Sequence, residues 1–555
     1  MGFKAGLRRP IAPSYDGRVF KRRSFLQALI AFCAGASTRG WGQARVRDPS
    51  RIALVIGNNA YRKAALANAA NDAKAMQTVL ADAGFMIDTR IDAGAESMAK
   101  AVREFGAAIA RPEVKLAIFY YAGHGVQVEW RNYLLPVDAN VTNRTDLHKQ
   151  TFDLGVLLDV LPKSRDKTFV VILDACRDNP FGDTFLTERK GLSPFDAPVS
   201  TLIAFSTSPG SVASDGAGGN GLYTENLARE LRVGGLRIED VFKRVRANVS
   251  VASRGMQIPW ESTSLVSDVY VFPPPMPLTE EELEQQFEEE AAQWHRVKGS
   301  KNPADWAALL RAFPNGKLSE IAQARLNLLL AEAGPGTPRG LERRRGLVLA
   351  PGLPVPEFLR RPENPYSAGT YALDRRFSVG DEATYVGFEE GSEENRRFTR
   401  RVTKVDVEAD RIELNGGRFA TDLLGNPVRK DRVEYAVPVQ IVPAQLQVGK
   451  RWTARFAALR KKGEFDEDMS AQIVARESVT VPAGTFDAFR IEARIYGVQT
   501  QGKRGRRAAT ARRQDIVTWE VPGLNFPIKE QRTLWRRSGT EEEKSFELES
   551  LRQKE

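Results

Sequence analysis

The stretch KTFVVILDACRDNPF (residues 167–181) joins a strand-like apolar run to a single thiol, Cys176. The only other cysteine among the 555 residues is Cys33. A near-continuous apolar run is typical of a strand that is buried on both faces of a parallel sheet. In such sheets, ligand chemistry lies beyond the carboxyl ends of the strands. The stretch therefore predicts both an α/β fold and a site at the end of this strand.

Strand-like and helix-like patterns alternate on both sides of this run, over residues 51–272. We predict strands at 51–57, 85–90, 115–123, 167–175 and 200–208. We predict helices at 71–84, 96–110, 151–161, 220–232 and 237–251. Such alternation indicates an α/β domain, with a mostly parallel sheet and helices on both faces. We place this domain at residues 45–275.

The rest of the chain predicts two further domains, so the protein is multidomain. Residues 278–334 contain Trp306, Leu309, Leu310 and Phe313 at helical spacing, which indicates a small helical hairpin unit that packs on a neighbour. Residues 335–369, rich in Gly and Pro, are interpreted as a linker. The strand-like patterns over residues 370–555 predict an all-β domain of unknown role, either a sandwich or an open barrel. It resembles the β domains of many bacterial envelope proteins.

Residues 1–44 are interpreted as a signal peptide. Arg22 and Arg23 precede a short apolar run and a small-residue end, and this order resembles the twin-arginine export signal. We expect a periplasmic or otherwise extracytoplasmic protein, with no integral membrane segment in the mature chain. The leader also carries seven of the eleven net positive charges. The basic balance is therefore largely a property of the leader, and we expect no nucleic-acid partner.

A second candidate site residue, His124, follows the predicted strand KLAIFYYAG within the motif AGHG. His124 and Cys176 lie 52 residues apart, and each follows a predicted strand. Because the carboxyl ends of parallel strands meet at one edge of the sheet, we expect the imidazole and the thiol to meet there. Either residue alone could be a buried structural side chain, but the pair at these positions favours nucleophilic catalysis.

YYAGHG (120–125) and LDACRDNPF (173–181) together resemble the motifs of the caspase-like cysteine peptidases, especially the bacterial metacaspase-type members. The resemblance covers residues 51–272. It implies the caspase-like sandwich fold and hydrolysis of protein or peptide substrates, with Cys176 as nucleophile and His124 managing the proton. It also implies an oxyanion site formed by the backbone N–H groups of Gly125 and Cys176.

Three aspartates are candidates for substrate binding. Asp174 lies two residues before Cys176 on the same strand face, where aspartate-specific caspases have Gln. A carboxylate there would attract a basic P1 side chain, so we predict cleavage after Arg or Lys. Asp72 matches a second acidic pocket position of metacaspases, although an N-cap role is an equal alternative. Asp215 is either a pocket or calcium-related group or part of a flexible crossover.

The sequence leaves the need for a metal open. Many metacaspases need calcium, but the sequence has no acidic loop of the EF-hand type. The alternative to a peptidase is a non-catalytic caspase-like scaffold that recruits envelope proteins through its helical and β domains. The intact Cys–His pair favours the cysteine endopeptidase.

Overall fold

A computed structural model of the chain describes residues 47–161, 166–176, 192–207, 219–274, 278–333, 346–359, 364–373, 375–389, 396–460, 463–502, 512–535 and 541–554. The predicted leader (1–44) and Asp215 lie outside these residues. The backbone of Cys176 is described, whereas its side chain lies outside the description.

The first domain is built around a mostly parallel sheet. Its strands are Arg51–Gly57 (β1), Met86–Ile91 (β2), Leu116–Val128 (β3), Arg131–Leu134 (β4), Phe152–Asp153 (β5), Thr168–Cys176 (β6), Thr201–Phe205 (β7) and Trp260–Thr263 (β8). The central order is β2–β1–β3–β6–β7–β8. Every pair on this path is parallel except β7 with β8, which is antiparallel. The predicted α/β fold is confirmed.

Helices cover both faces of this sheet. They are Ala69–Asp82 (α1), Ala95–Ile109 (α2), Arg144–Gln150 (α3), Leu154–Val160 (α4), Leu222–Leu231 (α5) and Ile238–Ala252 (α6). Successive strand residues point to opposite faces. Tyr120 therefore packs in the core beneath α1, α5 and α6, whereas Tyr121 packs in the core beneath α2 and α4. All residues of β3 are buried, which explains its continuous apolar pattern.

The sequence pattern missed the shorter elements of this domain. The helix predicted at 151–161 is a two-residue strand, β5, followed by α4. β4, α3 and β8 were not predicted at all. β4 extends the sheet locally as an antiparallel partner of β3 and β5.

The second domain consists of the helices Glu280–Val297 (α7), Pro303–Ala312 (α8) and Ser319–Ala333 (α9). Asn302 caps α8 through its side chain, and Pro303 occupies the first turn, where a missing N–H costs nothing. Trp306 is almost fully buried in a core that also contains Ala247 of α6. The helical unit thus packs on the first domain.

Of the helices in the described residues, none is both long and apolar enough to cross a membrane.

The third domain is all-β, as predicted. Its strands are Leu347–Leu349 (β9), Tyr371–Ala372 (β10), Glu382–Glu389 (β11), Arg396–Asp406 (β12), Arg411–Leu414 (β13), Phe419–Thr421 (β14), Pro427–Lys430 (β15), Val433–Tyr435 (β16), Gln445–Leu446 (β17), Arg451–Arg460 (β18), Gly463–Val481 (β19), Gly484–Gly502 (β20), Arg512–Glu520 (β21), Lys529–Trp535 (β22) and Glu541–Gln553 (β23).

The large sheet of this domain closes on itself, because β11 pairs with both β12 and β23. β10 and β17 form a separate two-stranded sheet. The closed sheet differs from the predicted sandwich or open barrel. The predicted linker (335–369) also needs correction, because β9 lies within it and pairs with β23.

Candidate functional site

The two candidate catalytic residues occupy neighbouring strand ends. β3 and β6 are adjacent and parallel, and their register places His124 opposite Cys176. The same register places Ala122 opposite Asp174. Cys176 is the last residue of β6, at the carboxyl edge where parallel sheets carry their chemistry. The structure therefore brings the two backbones together as the motif spacing predicts.

Two tyrosines fix the backbone of His124. The backbone N–H of His124 donates to the hydroxyl of Tyr61 at 2.9 Å. The hydroxyl of Tyr121 donates to the carbonyl of His124 at 2.7 Å. The hydroxyl of Tyr61 in turn donates its one hydrogen to the carbonyl of Leu135, 3.1 Å away. Both tyrosines are buried, so this network holds His124 in one place.

The imidazole ring of His124 is also oriented. Nε2 lies 2.6 Å from the carbonyl oxygen of Ala64. Because a carbonyl can only accept, Nε2 carries the hydrogen, and in the neutral ring Nδ1 is the basic nitrogen. The ring of Tyr61 packs against the imidazole at a centroid distance of 4.5 Å. Ala64 has a φ of 55°, which is uncommon for a residue with a side chain.

Side chains at the two glycines that flank His124 would crowd their neighbours. A Cβ atom at Gly123 would lie 2.6 Å from the hydroxyl oxygens of both Tyr61 and Tyr121. A Cβ atom at Gly125 would lie 3.0 Å from Leu192 and 3.3 Å from the Cβ atom of Ala175. The glycines thus let the chain lie close to the tyrosines and to the neighbouring strand.

Asp174 is the end of a hydrogen-bonded chain that begins in the core. Oγ1 of Thr224 donates to Oδ2 of Asp174 at 2.7 Å, so the hydroxyl of Tyr120 donates to Thr224 at 2.6 Å. Burial raises the pKa of Tyr120 well above its usual value, and the Asp174 and Asp72 carboxylates add to the shift. Tyr120 therefore remains a neutral donor beneath the carboxylate.

Asp72, on α1, also places its carboxylate near the start of α5. The N-cap of α1 is Asn68, so the alternative N-cap role of Asp72 is wrong. Asp72 is buried, and its Oδ1 accepts hydrogen bonds from Nδ2 of Asn220 at 2.8 Å and from the backbone N–H of Gly221 at 2.9 Å. The side chain therefore fixes the start of α5 instead of its own helix.

The Asp72 and Asp174 carboxylates converge at Gly221. A Cβ atom at Gly221 would lie 3.2 Å from Oδ2 of Asp72 and 3.7 Å from Oδ2 of Asp174. Two carboxylates near one point create a negative potential that favours a basic group.

The third aspartate, Asp215, lies outside the described residues, so its role stays a prediction. Across the described segments, no group of three or more His, Cys, Asp or Glu side chains is arranged to hold a metal ion.

Sequence reasoning missed several residues of this site. Thr224 and Gly221 come from the start of α5 and join the site only through the fold. Ala64 contributes a backbone carbonyl, which no side-chain pattern can reveal. Tyr61 had a signal, because it lies shortly after the predicted first strand in IGNNAY, close to the same sheet edge.

The segment between β9 and β10 also contacts the first domain. The carboxylate of Asp196 accepts from Oγ of Ser367 at 2.8 Å and from the backbone N–H of Ala368 at 2.7 Å. The backbone N–H of Asp196 donates to the carbonyl of Tyr366, and the rings of Phe195 and Tyr366 stack at 5.1 Å. Residues 364–369 therefore hold residues 195–196, which follow the Cys176 motif in the chain, through hydrogen bonds and ring stacking.

An α/β sheet with a cysteine and a histidine at adjacent strand ends has the architecture of a Cys–His hydrolase. Residues 50–270 match the family model of the caspase domain, which supports a caspase-like cysteine peptidase domain in this part of the chain. The family supports cysteine peptidase activity on protein substrates. No curated protein matches the chain.

Proposed function

We propose that this protein is a metacaspase-type cysteine endopeptidase that cleaves after Arg or Lys. The observation that carries the proposal is the β3–β6 register, which sets His124 opposite Cys176 at the carboxyl edge of the sheet. In this proposal Cys176 is the nucleophile and His124 is the general base and acid.

The orientation of His124 supports a defined path for the proton. The hydrogen on Nε2 is directed to the carbonyl of Ala64, so Nδ1 takes the proton of the thiol. The thiolate then attacks the scissile carbonyl carbon and forms a tetrahedral intermediate. The C–N bond breaks as Nδ1 returns the proton to the leaving amine. Water, deprotonated by Nδ1, then hydrolyses the thioester and regenerates the thiol.

The oxyanion of the intermediate needs hydrogen-bond donors. The candidates are the backbone N–H groups of Gly125 and Cys176, which lie on adjacent strands at the same edge. Backbone donors are held in place before the reaction, so stabilisation of the developing charge costs no reorganisation.

The preference for a basic P1 residue rests on Asp72 and Asp174. Their carboxylates converge beside Gly221, and Asp174 lies two residues before the nucleophile. A guanidinium or ammonium group would be stabilised between them, whereas an acidic side chain would be repelled.

The experiment that tests this function compares matched peptide reporters that end in Arg, Lys or Asp at P1. We expect hydrolysis of the Arg and Lys reporters, and less than one hundredth of that rate for the Asp reporter, because like charges in a pocket cost several kcal/mol. Covalent labelling of Cys176 by an electrophilic probe with a basic P1 group, followed by peptide mapping, reads the same site independently. A preference for Asp would reject the specificity. A folded protein that neither cleaves nor reacts would favour the scaffold.

We propose that the chain is exported to the periplasm through its twin-arginine-like leader. Arg22 and Arg23 precede the apolar run of that leader. Replacing both with Lys keeps the charge but removes the paired guanidinium groups, so we expect the protein to stay in the cytoplasmic fraction. Immunoblots of periplasmic and cytoplasmic fractions measure this, and unchanged periplasmic levels would contradict it. If the protein is exported, envelope proteins are its accessible substrates and partners.

A calcium requirement is tested separately, by adding a chelator to the peptide assay.

A further inference from the structure

The closed sheet of the third domain contains a small, positively charged cavity. Its volume is about 90 Å³. Five basic and two acidic side chains line it; these are Arg375, Arg400, Arg429, Lys430 and Arg532, with Glu520 and Glu530. Such an excess of positive charge around one cavity favours the binding of an anion there.

Ion pairs account for three of the five cations. Arg375 pairs with Glu520, Arg532 with Glu530, and Arg429 with Glu434, which lies outside the lining. Those pairs leave Arg400 and Lys430 as the excess positive charges, because within the described residues neither side chain forms an ion pair. Arg400 is half-buried, whereas Lys430 is exposed at the edge of the lining.

The guanidinium group of Arg400 lies over the faces of aromatic rings. Its guanidinium carbon lies 4.8 Å from the ring centroid of Phe546 and 5.3 Å from that of Tyr385. A cation held by ring faces keeps its N–H groups available at the ring edges, since the rings attract the charge without accepting conventional hydrogen bonds.

Two buried polar atoms in the lining also have no hydrogen-bond partner among the described residues. One is Nε of Arg375, a residue that is only 8% exposed, and the other is Oγ1 of Thr421. Buried donors are normally satisfied by protein, water or ligand. Both atoms belong to residues that line the cavity, and both are independent of the charge excess, so an acceptor bound in the cavity is a candidate partner for them.

The surroundings of Lys430 agree with this interpretation. Repulsion by Arg532 and by Arg400 lowers the pKa of Lys430, although Glu530 and Asp431 oppose the shift. Positive charges therefore crowd this ammonium group. A bound anion would reverse the balance and favour the protonated lysine.

We propose that this cavity binds a small dianionic oxyanion, such as a phosphate or sulfate group. Arg guanidinium and Lys ammonium groups are the side chains that recognise such groups. Two excess positive charges match a dianion better than a single carboxylate does. The small volume admits a free ion, or the charged head of a larger molecule, rather than a polymer.

Isothermal titration of the full chain with sulfate tests the proposal directly. Sulfate keeps its double charge across neutral pH, so any pH dependence belongs to the protein. Buffers matched in ionic strength with chloride remove general screening. We expect saturable binding at pH 6 and weaker binding at pH 8.5, because the lowered pKa of Lys430 makes this side chain lose its charge closer to neutral pH than an ordinary lysine does. No saturable binding at pH 6 would overturn the proposal.

Variants connect this binding to the cavity. Lys430→Met is expected to weaken sulfate binding at pH 6 at least tenfold and to remove its pH dependence. Thr421→Val changes no charge and little volume, so it tests the site even if Lys430→Met fails to fold, with an expected loss of about threefold or more. Arg397→Met on β12 is the control, because its side chain is 70% exposed. Equal affinity in wild type and both cavity variants would overturn the proposal, as would an equal loss in the control.

Titrations with phosphate compounds distinguish a free ion from the charged head of a larger ligand. Inorganic phosphate and glycerol 3-phosphate are titrated in the same way. Equal affinities would identify a free ion as sufficient, and tighter binding of the ester would indicate the head of a larger ligand. Neither titration depends on hydrolysis, so the result stands apart from the proposed peptidase activity.

Discussion

Replacing His124 with alanine is expected to lower kcat/KM for an Arg reporter peptide by about 10⁴-fold or more, the scale seen when other hydrolases lose one member of a nucleophile–base unit. The imidazole is the group that takes the proton of the thiol and returns it to the leaving amine. Cys176→Ala removes the nucleophile and is expected to give the same loss. The double variant should be no worse than either single variant, because the two residues act as one unit.

The sequence supplies a matched control for His124, since it contains three histidines. His295 lies exposed on α7, so His295→Ala should retain full activity. Thermal unfolding of each variant separates loss of chemistry from loss of fold. A His124→Ala variant that keeps more than a tenth of wild-type kcat/KM would exclude His124 as the general base, whatever Cys176→Ala does.

The sequence could predict the first domain because its signals are local. A buried parallel strand requires a continuous apolar run, and β1, β3 and β6 each have one. The register between β3 and β6 follows from where each run starts and stops. His124 and Cys176 therefore came together in the prediction without any knowledge of the remaining chain.

The missed elements lack such local signals. α3 has only seven residues, most of them polar, and its start depends on Asn143 accepting from the backbone N–H of Asp146. Closure of the third domain depends on pairing between β11 and β23, which are more than 150 residues apart in the chain. The sequence pattern of neither strand indicates which partner strand closes the sheet.

The pocket was only half predictable for a similar reason. The acidic character of Asp174 is visible beside Cys176, but the role of Asp72 depends on Gly221, which lies 149 residues further along the chain. Local sequence gave Asp72 two equal interpretations, helix capping and pocket lining. Tertiary packing removed the first, because α1 begins earlier, at Ala69, with Asn68 as its N-cap.

Replacing Asp174 with asparagine is expected to lower kcat/KM for an Arg reporter by about 30- to 4,000-fold. Truncating one partner of a desolvated charge pair typically costs about 2–5 kcal/mol, and every 1.4 kcal/mol is tenfold. The side chain keeps its shape and can still accept a hydrogen bond from Thr224, so the change removes charge and little else. Asp72→Asn is expected to act in the same direction and to be coupled to Asp174→Asn, since both carboxylates lie near Gly221.

A reporter with citrulline at P1 separates this electrostatic effect from a general loss of activity. Citrulline has nearly the shape of arginine without its charge, so the Asp174→Asn variant should cleave it within about threefold of wild type, a change below 1 kcal/mol. The ratio of the Arg rate to the citrulline rate then measures the charge pair alone. Asp88→Asn provides the control, because Asp88 is half-exposed on β2 and pairs with Arg90 at 2.9 Å. If neither the Arg rate nor the citrulline rate falls in Asp174→Asn, the basic preference arises elsewhere in the chain. If the citrulline rate falls as far as the Arg rate, Asp174 acts by positioning the strand end that carries Cys176.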